Sequence, residues 1–175
     1  WFAKQLNNVS HFFVQDQNSK ELLKSIGISN CTVAGDTRFD SVITIAQNVI
    51  KIPLIEKFSK NKNTIICGST WPKDEALLIK YIKENSNYKY IIAPHELRHI
   101  SDLKNQTDAL LYSKANEKNI LMTNVLIIDS IGILSNVYKY GDLAYIGGGF
   151  GNGIHNVLEA VTFGLPVIFG PNYQK

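Results

Sequence analysis

From Thr64 onward the chain alternates short apolar runs with helix-spaced segments, and this rhythm constrains its fold more than any other feature. The runs are Thr64–Gly68, Tyr88–Ala93, Val125–Ile128 and Pro166–Phe169, with weaker segments at Ala109–Leu111 and Ile120–Met122. They are apolar at nearly every position rather than at alternate ones. That pattern belongs to strands buried on both faces, which means a parallel sheet covered by helices on either side. Between the runs lie helical stretches: Lys73 to about Asn85 with Pro72 in its first turn, one opened by Pro94-His95-Glu96, and one from Ile131 to Tyr140 capped by Asp129-Ser130. The expected class is α/β, a doubly wound, Rossmann-like parallel sheet. In such sheets ligands gather at the carboxyl ends of the strands. The polar punctuation of this chain falls there, at Ser69-Thr70, Pro94-His95, Ser130-Ile131-Gly132 and Gly147–Gly149.

The stretch before Thr64 has the same flavour. His11–Gln15 reads as a short buried strand, and Asn18–Ile26 as a helix closed by Gly27. Cys31–Ala34 reads as a second strand, followed after Gly35-Asp36 by a helix through Val42, Ile43, Ile45, Ala46, Val49 and Ile50. Pro53–Lys62 is a helical or loop connection whose Lys57, Lys60 and Lys62 form a solvated surface.

The densest chemical signal is Ala144–Ala160, AYIGGGFGNGIHNVLEA. An apolar strand end (Leu143–Ile146) runs into a glycine loop, and a helix is expected to start at His155-Asn156. Such a loop lets backbone approach a ligand, and a following helix start suits a phosphate or carboxylate. The pattern is neither GxGxxG nor a P-loop, since no Gly-Lys-Ser/Thr follows. Asn156 and the loop amides, Gly148 and Gly149 among them, would face a phosphate, and Glu159 a ribose diol. The competing reading is a tight strand-to-helix turn with a capping Asn.

At 175 residues the chain suits one domain, residues 1–175, with room for a minor appendage. Its net charge of +3 is too slight to mark a nucleic-acid binder, yet it is compatible with acidic small molecules or an anionic membrane surface. Cys31 and Cys67 stand in apolar runs without metal-ligand spacing, so they read as buried free thiols of a cytoplasmic protein. No metal site is expected. No apolar run is long enough to span a bilayer, and no signal peptide opens the chain. Trp1 stands where an initiator Met would, and the chain stops just after a strand, so a domain-sized piece of a longer protein is expected.

Taken in order, the motifs resemble those of the C-terminal half of 3-deoxy-D-manno-octulosonic acid (Kdo) transferases, GT-B glycosyltransferases that move Kdo from CMP-Kdo to the lipid A precursor. Gly35-Asp36-Thr37-Arg38-Phe39-Asp40 resembles the family's G-N-x-K-F-D. Gly68-Ser69-Thr70-Trp71 with Asp74-Glu75 resembles A-S-T-H-x-x-E-E, and Ala93-Pro94-His95 with Arg98 resembles A-P-R-H-P-E-R. Asp129-Ser130-Ile131-Gly132-Ile133-Leu134 resembles D-T-M-G-E-L. His155-Asn156-Val157-Leu158-Glu159-Ala160 resembles H-N-P-L-E-P-A, and Gly164-Leu165-Pro166-Val167 with Phe169-Gly170-Pro171 resembles G-x-P-V-x-F-G-P. The chain departs from the family in lacking the arginine after Pro94, in carrying Ile133 for a glutamate and Arg38 for a lysine, and in a shorter glycine loop.

The resemblance implies a nucleotide subsite. Ile131, Gly132 and Ile133 would hold the cytosine through backbone, with Pro94 and His95 nearby. Asn156, Val157 and Leu158 at the helix start would hold the phosphate, and Glu159 the ribose. Arg38 would stabilise charge on the departing phosphate, acting as the catalytic cation. Ser69, Thr70, Arg98, Gly148 and Gly149 would be further donor contacts. Each has a plainer alternative: His95 capping its helix, Arg38 pairing with Asp40 on the surface, Ser69 and Thr70 capping a helix. The family's general base is a glutamate of the N-terminal domain, and nothing here matches its motif, so this chain alone is expected to bind CMP weakly without turnover. No cofactor is expected beyond the CMP-Kdo substrate. The full-length protein is expected at the cytoplasmic face of the bacterial inner membrane, meeting the anionic lipid surface and taking the lipid A precursor through an N-terminal domain; the chain itself is expected to be soluble. Two alternatives stay open: a UDP-sugar-dependent GT-B glycosyltransferase or epimerase domain, and a non-catalytic nucleotide-binding module.

Overall fold

The computed structural model describes residues 2–174, excluding the side chains of Phe2, Ala3, Ser41, Ile45 and Ala46. Trp1, on which the expectation about the chain's start rests, and Lys175 lie outside the described residues. The chain forms two compact units, one ending at Thr44 and the other beginning at Ile45.

The first unit holds α1 (Phe2–Leu6), β1 (Phe12–Val14), α2 (Gln17–Ser25) and β2 (Cys31–Val33). Strands β1 and β2 pair in parallel, with Phe12 opposite Cys31. Helix α2 starts where the Asp16 carboxylate accepts the Ser19 N–H at 2.7 Å, and it stops at Gly27, whose φ is +87°. The run His11–Gln15 is a strand as expected, but it is not buried, and Phe13 is 74% exposed. Successive side chains of a strand point to opposite faces. In a two-stranded sheet with α2 packed against it, Phe13 is left on the uncovered face. Helix α3 (Thr37–Gln47) runs through the boundary between the units.

The second unit carries the expected sheet. Its strands are β3 (Thr64–Thr70), β4 (Lys89–Pro94), β5 (Leu110–Leu111), β6 (Val125–Ile127), β7 (Leu143–Ile146) and β8 (Val167–Phe169). They lie in the order β5-β6-β4-β3-β7-β8, and every pairing is parallel. Helices α4 (Pro53–Ser59), α5 (Pro72–Glu84), α6 (Ile100–Thr107), α7 (Leu134–Val137) and α8 (Leu158–Val161) complete it. The unbroken apolar runs have a direct explanation. Ile66, Ile91, Leu126, Ala144 and Ile146 enter one core with Ile55 and Phe58 of α4. Their neighbours Ile65, Cys67, Tyr90, Ile92, Val125 and Ile127 enter a second core with Leu78 and Ile82 of α5 and Leu103 of α6. Both faces are covered, so both must be apolar. Burial in the second core pushes the Cys67 thiol up to about 12, which keeps it a neutral packing group.

The chain builds outward from β3 through β4 to the β5 edge and back to β6, then crosses to the other side of β3 to form β7 and β8. The crossing leaves a crevice between the carboxyl ends of β3 and β7, the place where ligands bind in open α/β sheets.

Four helices differ from the sequence expectation. The one expected to open at Pro94-His95-Glu96 starts as a 3₁₀ turn at Leu97–His99 and becomes α6 only at Ile100, and the one expected through Val49 and Ile50 ends at Gln47. The one expected over Ile131–Tyr140 shrinks to α7 plus a 3₁₀ turn, Tyr138–Tyr140. Asp129 does not cap it, because its carboxylate accepts the Ser113 backbone N–H at 2.8 Å and the Ser113 hydroxyl instead. The helix expected from His155 begins only at Leu158 and is four residues long. The residues before it are held out of the helix by bonds to the glycine loop and to the segment after β8: the His155 N–H donates to the Gly147 carbonyl at 3.1 Å, and the Ile154 N–H to the Asn172 carbonyl at 3.0 Å.

Candidate functional site

Strand β3 does not end smoothly. Its register with β4 jumps from Gly68–Ala93 to Thr70–Pro94, and Ser69 takes a φ of +52°. Such a bulge re-aims the chain, here turning Thr70 inward and sending Trp71 and Pro72 into the first turn of α5. Thr70 donates its hydroxyl to the Glu75 carboxylate at 3.0 Å. Burial holds the Glu75 carboxyl above the ordinary range, and the Thr70 bond partly offsets that.

Asp74, 1% exposed, is the anchor of the crevice. Its carboxylate accepts the Trp71 N–H at 2.9 Å, the Tyr145 hydroxyl at 2.6 Å and the Gly148 N–H at 2.9 Å. Start of α5, end of β7 and glycine loop are thus tied to one side chain. Burial and this bond raise the Tyr145 hydroxyl far above its usual range, so it serves as a donor only. The glycine loop fits because two positions demand it. A Cβ on Gly147 would stand 2.2 Å from the Ser69 carbonyl oxygen, and Gly148 has a φ of +93°.

The loop amides are largely engaged by the protein itself. Gly147 donates to the Gly68 carbonyl at 2.9 Å, while Gly151 and Gly153 both donate to the Gly148 carbonyl, at 2.9 and 3.3 Å. With α8 only four residues long, no helix dipole of useful size stands behind them.

Above the crevice sits an aromatic cluster. The Trp71 indole N–H donates to Nε2 of His155 at 2.8 Å, and the two rings are within 10° of coplanar with centroids 6.2 Å apart. His95, from the end of β4, stacks on both: 4.4 Å from Trp71 at 24° and 4.5 Å from His155 at 28°. The role of His95 as a helix cap is not used; its ring joins this stack. A cavity of about 370 Å³ lies against the cluster, bounded by Trp71, Lys73, Asp74, Gly148, Phe150 and His155 among others.

The other sequence-selected residues divide. Ile131 is 91% exposed and Gly132 has a φ of +92°, so this loop after β6 offers backbone to solvent. Ile133 packs against the α4-side core, as does Val157. Asn156 accepts the Leu158 N–H at 3.1 Å, just ahead of α8, and a bond from Asn156 moderates the upward shift that burial gives the Glu159 carboxyl. Burial raises the Tyr138 hydroxyl above its usual range, and the Glu159 charge adds to that shift. Ile131–Ile133, His95, Trp71 and Asn156–Glu159 therefore follow the carboxyl ends of β6, β4, β3 and β7, four adjacent strands of one rim. Arg98 turns back on Glu96 at 2.6 Å with a 77% exposed side chain. Arg38 belongs to the first unit and pairs with Asp36 at 2.6 Å rather than with Asp40. Among the described residues, none group as a metal-binding cluster of His, Cys, Asp and Glu, and no helix is long and apolar enough to cross a membrane.

No family model matches the chain. Curated proteins do. The 3-deoxy-D-manno-octulosonic acid transferase of Rickettsia bellii is 30% identical over 183 aligned residues, covering 100% of this chain and 44% of that protein. The enzyme of the same name from Chlamydophila psittaci is 31% identical, covering 95% of this chain and 41% of that protein. The chain is a relative of the Kdo transferases. It spans less than half the length of these Kdo transferases. A bifunctional glycosyltransferase/methyltransferase of Fusobacterium nucleatum matches at 27% identity over 97% of this chain. Among solved structures, the C-terminal CMP-Kdo binding domain of WaaA from Acinetobacter baumannii superposes with a TM-score of 0.57 at 19% identity, over 77% of this chain and 71% of that one. The fold expectation is thereby borne out, as is the resemblance to Kdo transferases. Trp71, Asp74, Phe150 and His155 were not singled out as site residues from sequence. The signal for His155 and Asp74 lay in the motifs that carry the resemblance, whereas Trp71 replaces the histidine of its motif and so offered none.

Proposed function

We propose that this chain is the donor-binding half of a GT-B Kdo transferase, holding CMP-Kdo while the sugar passes to the lipid A precursor. The observation that supports it best is that four of the motifs shared with that family, at residues 68–75, 93–98, 129–134 and 155–160, fall at the carboxyl ends of the adjacent strands β3, β4, β6 and β7. The exposed backbone at Ile131 and Gly132 supplies donors and acceptors for the cytosine edge, with Pro94 and His95 beside it. Glu159 accepts the ribose hydroxyls, and Asn156, Val157 and Leu158 border the phosphate. By the family resemblance Arg38 would be the cation for the departing CMP phosphate; within the first unit it pairs with Asp36 at 2.6 Å. Acceptor, general base and contact with the anionic inner-membrane surface belong to the rest of the full-length protein, whose cytoplasmic-face location follows from this reading.

Calorimetry of the chain with CMP, UMP and UDP tests the proposal. CMP should bind more tightly than either uridine nucleotide, and no Kdo should be transferred by the chain alone. Preference for UDP would replace CMP-Kdo with a UDP-sugar, and absence of any nucleotide binding would remove the donor-site reading.

A further inference from the structure

We infer that Trp71 and His155 form a stacking platform for the sugar-acid half of the donor, with Lys73 as the partner of its carboxylate; this rests on the donor-site reading above. The geometry of the rings carries the argument. An indole nitrogen is a donor only, so the 2.8 Å bond to His155 Nε2 requires a lone pair there. His155 is therefore neutral with its proton on Nδ1, and Trp71 fixes that tautomer. The near-coplanar pair, 10° apart and joined edge to edge, makes one flat surface wider than either ring. His95 stacks on both rings and covers one face of it. The cavity is bounded by Trp71 and His155 and not by His95, which leaves it on the opposite face.

The cavity's chemistry fits an acidic sugar. Its volume of about 370 Å³ is at the small end of ligand sites, enough for one monosaccharide and not for a whole sugar nucleotide. The electron-rich faces of Trp71 and Phe150 attract the slightly positive C–H face of a pyranose ring. Lys73 supplies the cation, and Asn152 a polar amide for hydroxyls. Asp74 also borders the cavity, but its charge is offset by the three donors Trp71, Tyr145 and Gly148. The nucleotide residues Gly132 and Glu159 do not border this cavity, so base and sugar occupy separate places on the rim.

Calorimetry of CMP and CMP-Kdo on the chain and on Trp71→Ala, Trp71→Phe and Lys73→Ala variants tests this. Trp71→Ala and Lys73→Ala should each weaken CMP-Kdo about tenfold while leaving CMP within about twofold. Trp71→Phe, which keeps a ring but loses the N–H, should fall between, and it serves if the alanine variant does not fold. Equal losses for CMP and CMP-Kdo would put the base on the platform and overturn the inference, as would no loss for either. Free Kdo separates the two readings: a Trp71 fluorescence change on titration, absent in Trp71→Phe and weakened in Lys73→Ala, supports the sugar site even if CMP does not bind. No Trp71 response to free Kdo would overturn it.

Discussion

Two loops on the same rim are built in opposite ways. The loop after β7 is fastened at almost every position: Asp74 holds Gly148, Gly68 holds Gly147, and Trp71 holds His155. The loop after β6 is fastened at its two ends, where Asp129 takes Ser113 and Ile133 packs on the core, and between them Ile131 stands 91% exposed. A fastened loop presents a fixed surface but few unused backbone groups. An open loop keeps its backbone available and is ordered by whatever binds it. The contrast suits a ligand with two halves, one matched by shape and one by hydrogen bonds.

The sharpest way to break the contrast is to cut each fastening. Asp74→Ala leaves the Tyr145 hydroxyl and the Gly148 N–H buried without an acceptor, and should cost about 3 kcal/mol in denaturant unfolding. Asp129→Ala, whose bonds are exposed, should cost about 1 kcal/mol or less. Similar costs at both sites would mean that the loop after β6 is as firmly built as the other. Glycine substitutions come next. Gly147→Ala drives a Cβ onto the Ser69 carbonyl and should destabilise by about 3 kcal/mol. Gly132→Ala meets nothing within 4 Å, so only the strain of its φ of +92° remains, about 1 kcal/mol.

These details also mark where sequence reading succeeds and stops. The sheet was legible because burial on both faces leaves an unbroken apolar trace: Ile65 and Ile66 are both apolar since each enters a different core. The carboxyl-end rim followed from that alternation. The helix at His155 was misread because Asn156 is a good cap and the apolar spacing continues, while the bonds that keep His155 and Ile154 out of the helix come from Gly147 and Asn172, one of them after the last strand. The Trp71–His155 bond joins residues far apart in the chain, and no local pattern announces it. Phe13 looked buried because its run is apolar, but it stands on the face of the two-stranded sheet that α2 leaves uncovered.

The smallest effect concerns Glu75, on the fastened side. Its carboxyl is raised in the folded state by burial, so the fold holds that proton more tightly than the unfolded chain does. The stability it contributes is complete below the ordinary glutamate range and is lost as pH rises through the raised folded value. Glu75→Gln keeps an oxygen for Thr70 and removes the charge. It should raise the melting temperature at about pH 8 and flatten its decline from about pH 5. A lower melting temperature at the higher pH would show that the charged form is the one the fold prefers.

The central claim is that one rim of this sheet holds a cytidine nucleotide at its open loop and leaves the fastened loop to the sugar. Amide chemical shifts followed by NMR during a CMP titration address it residue by residue. The account predicts that Ile131, Gly132 and Glu159 move with saturation while Gly147 and Gly148 stay in place. Shifts centred on the glycine loop and Trp71, or none along the rim, would contradict it.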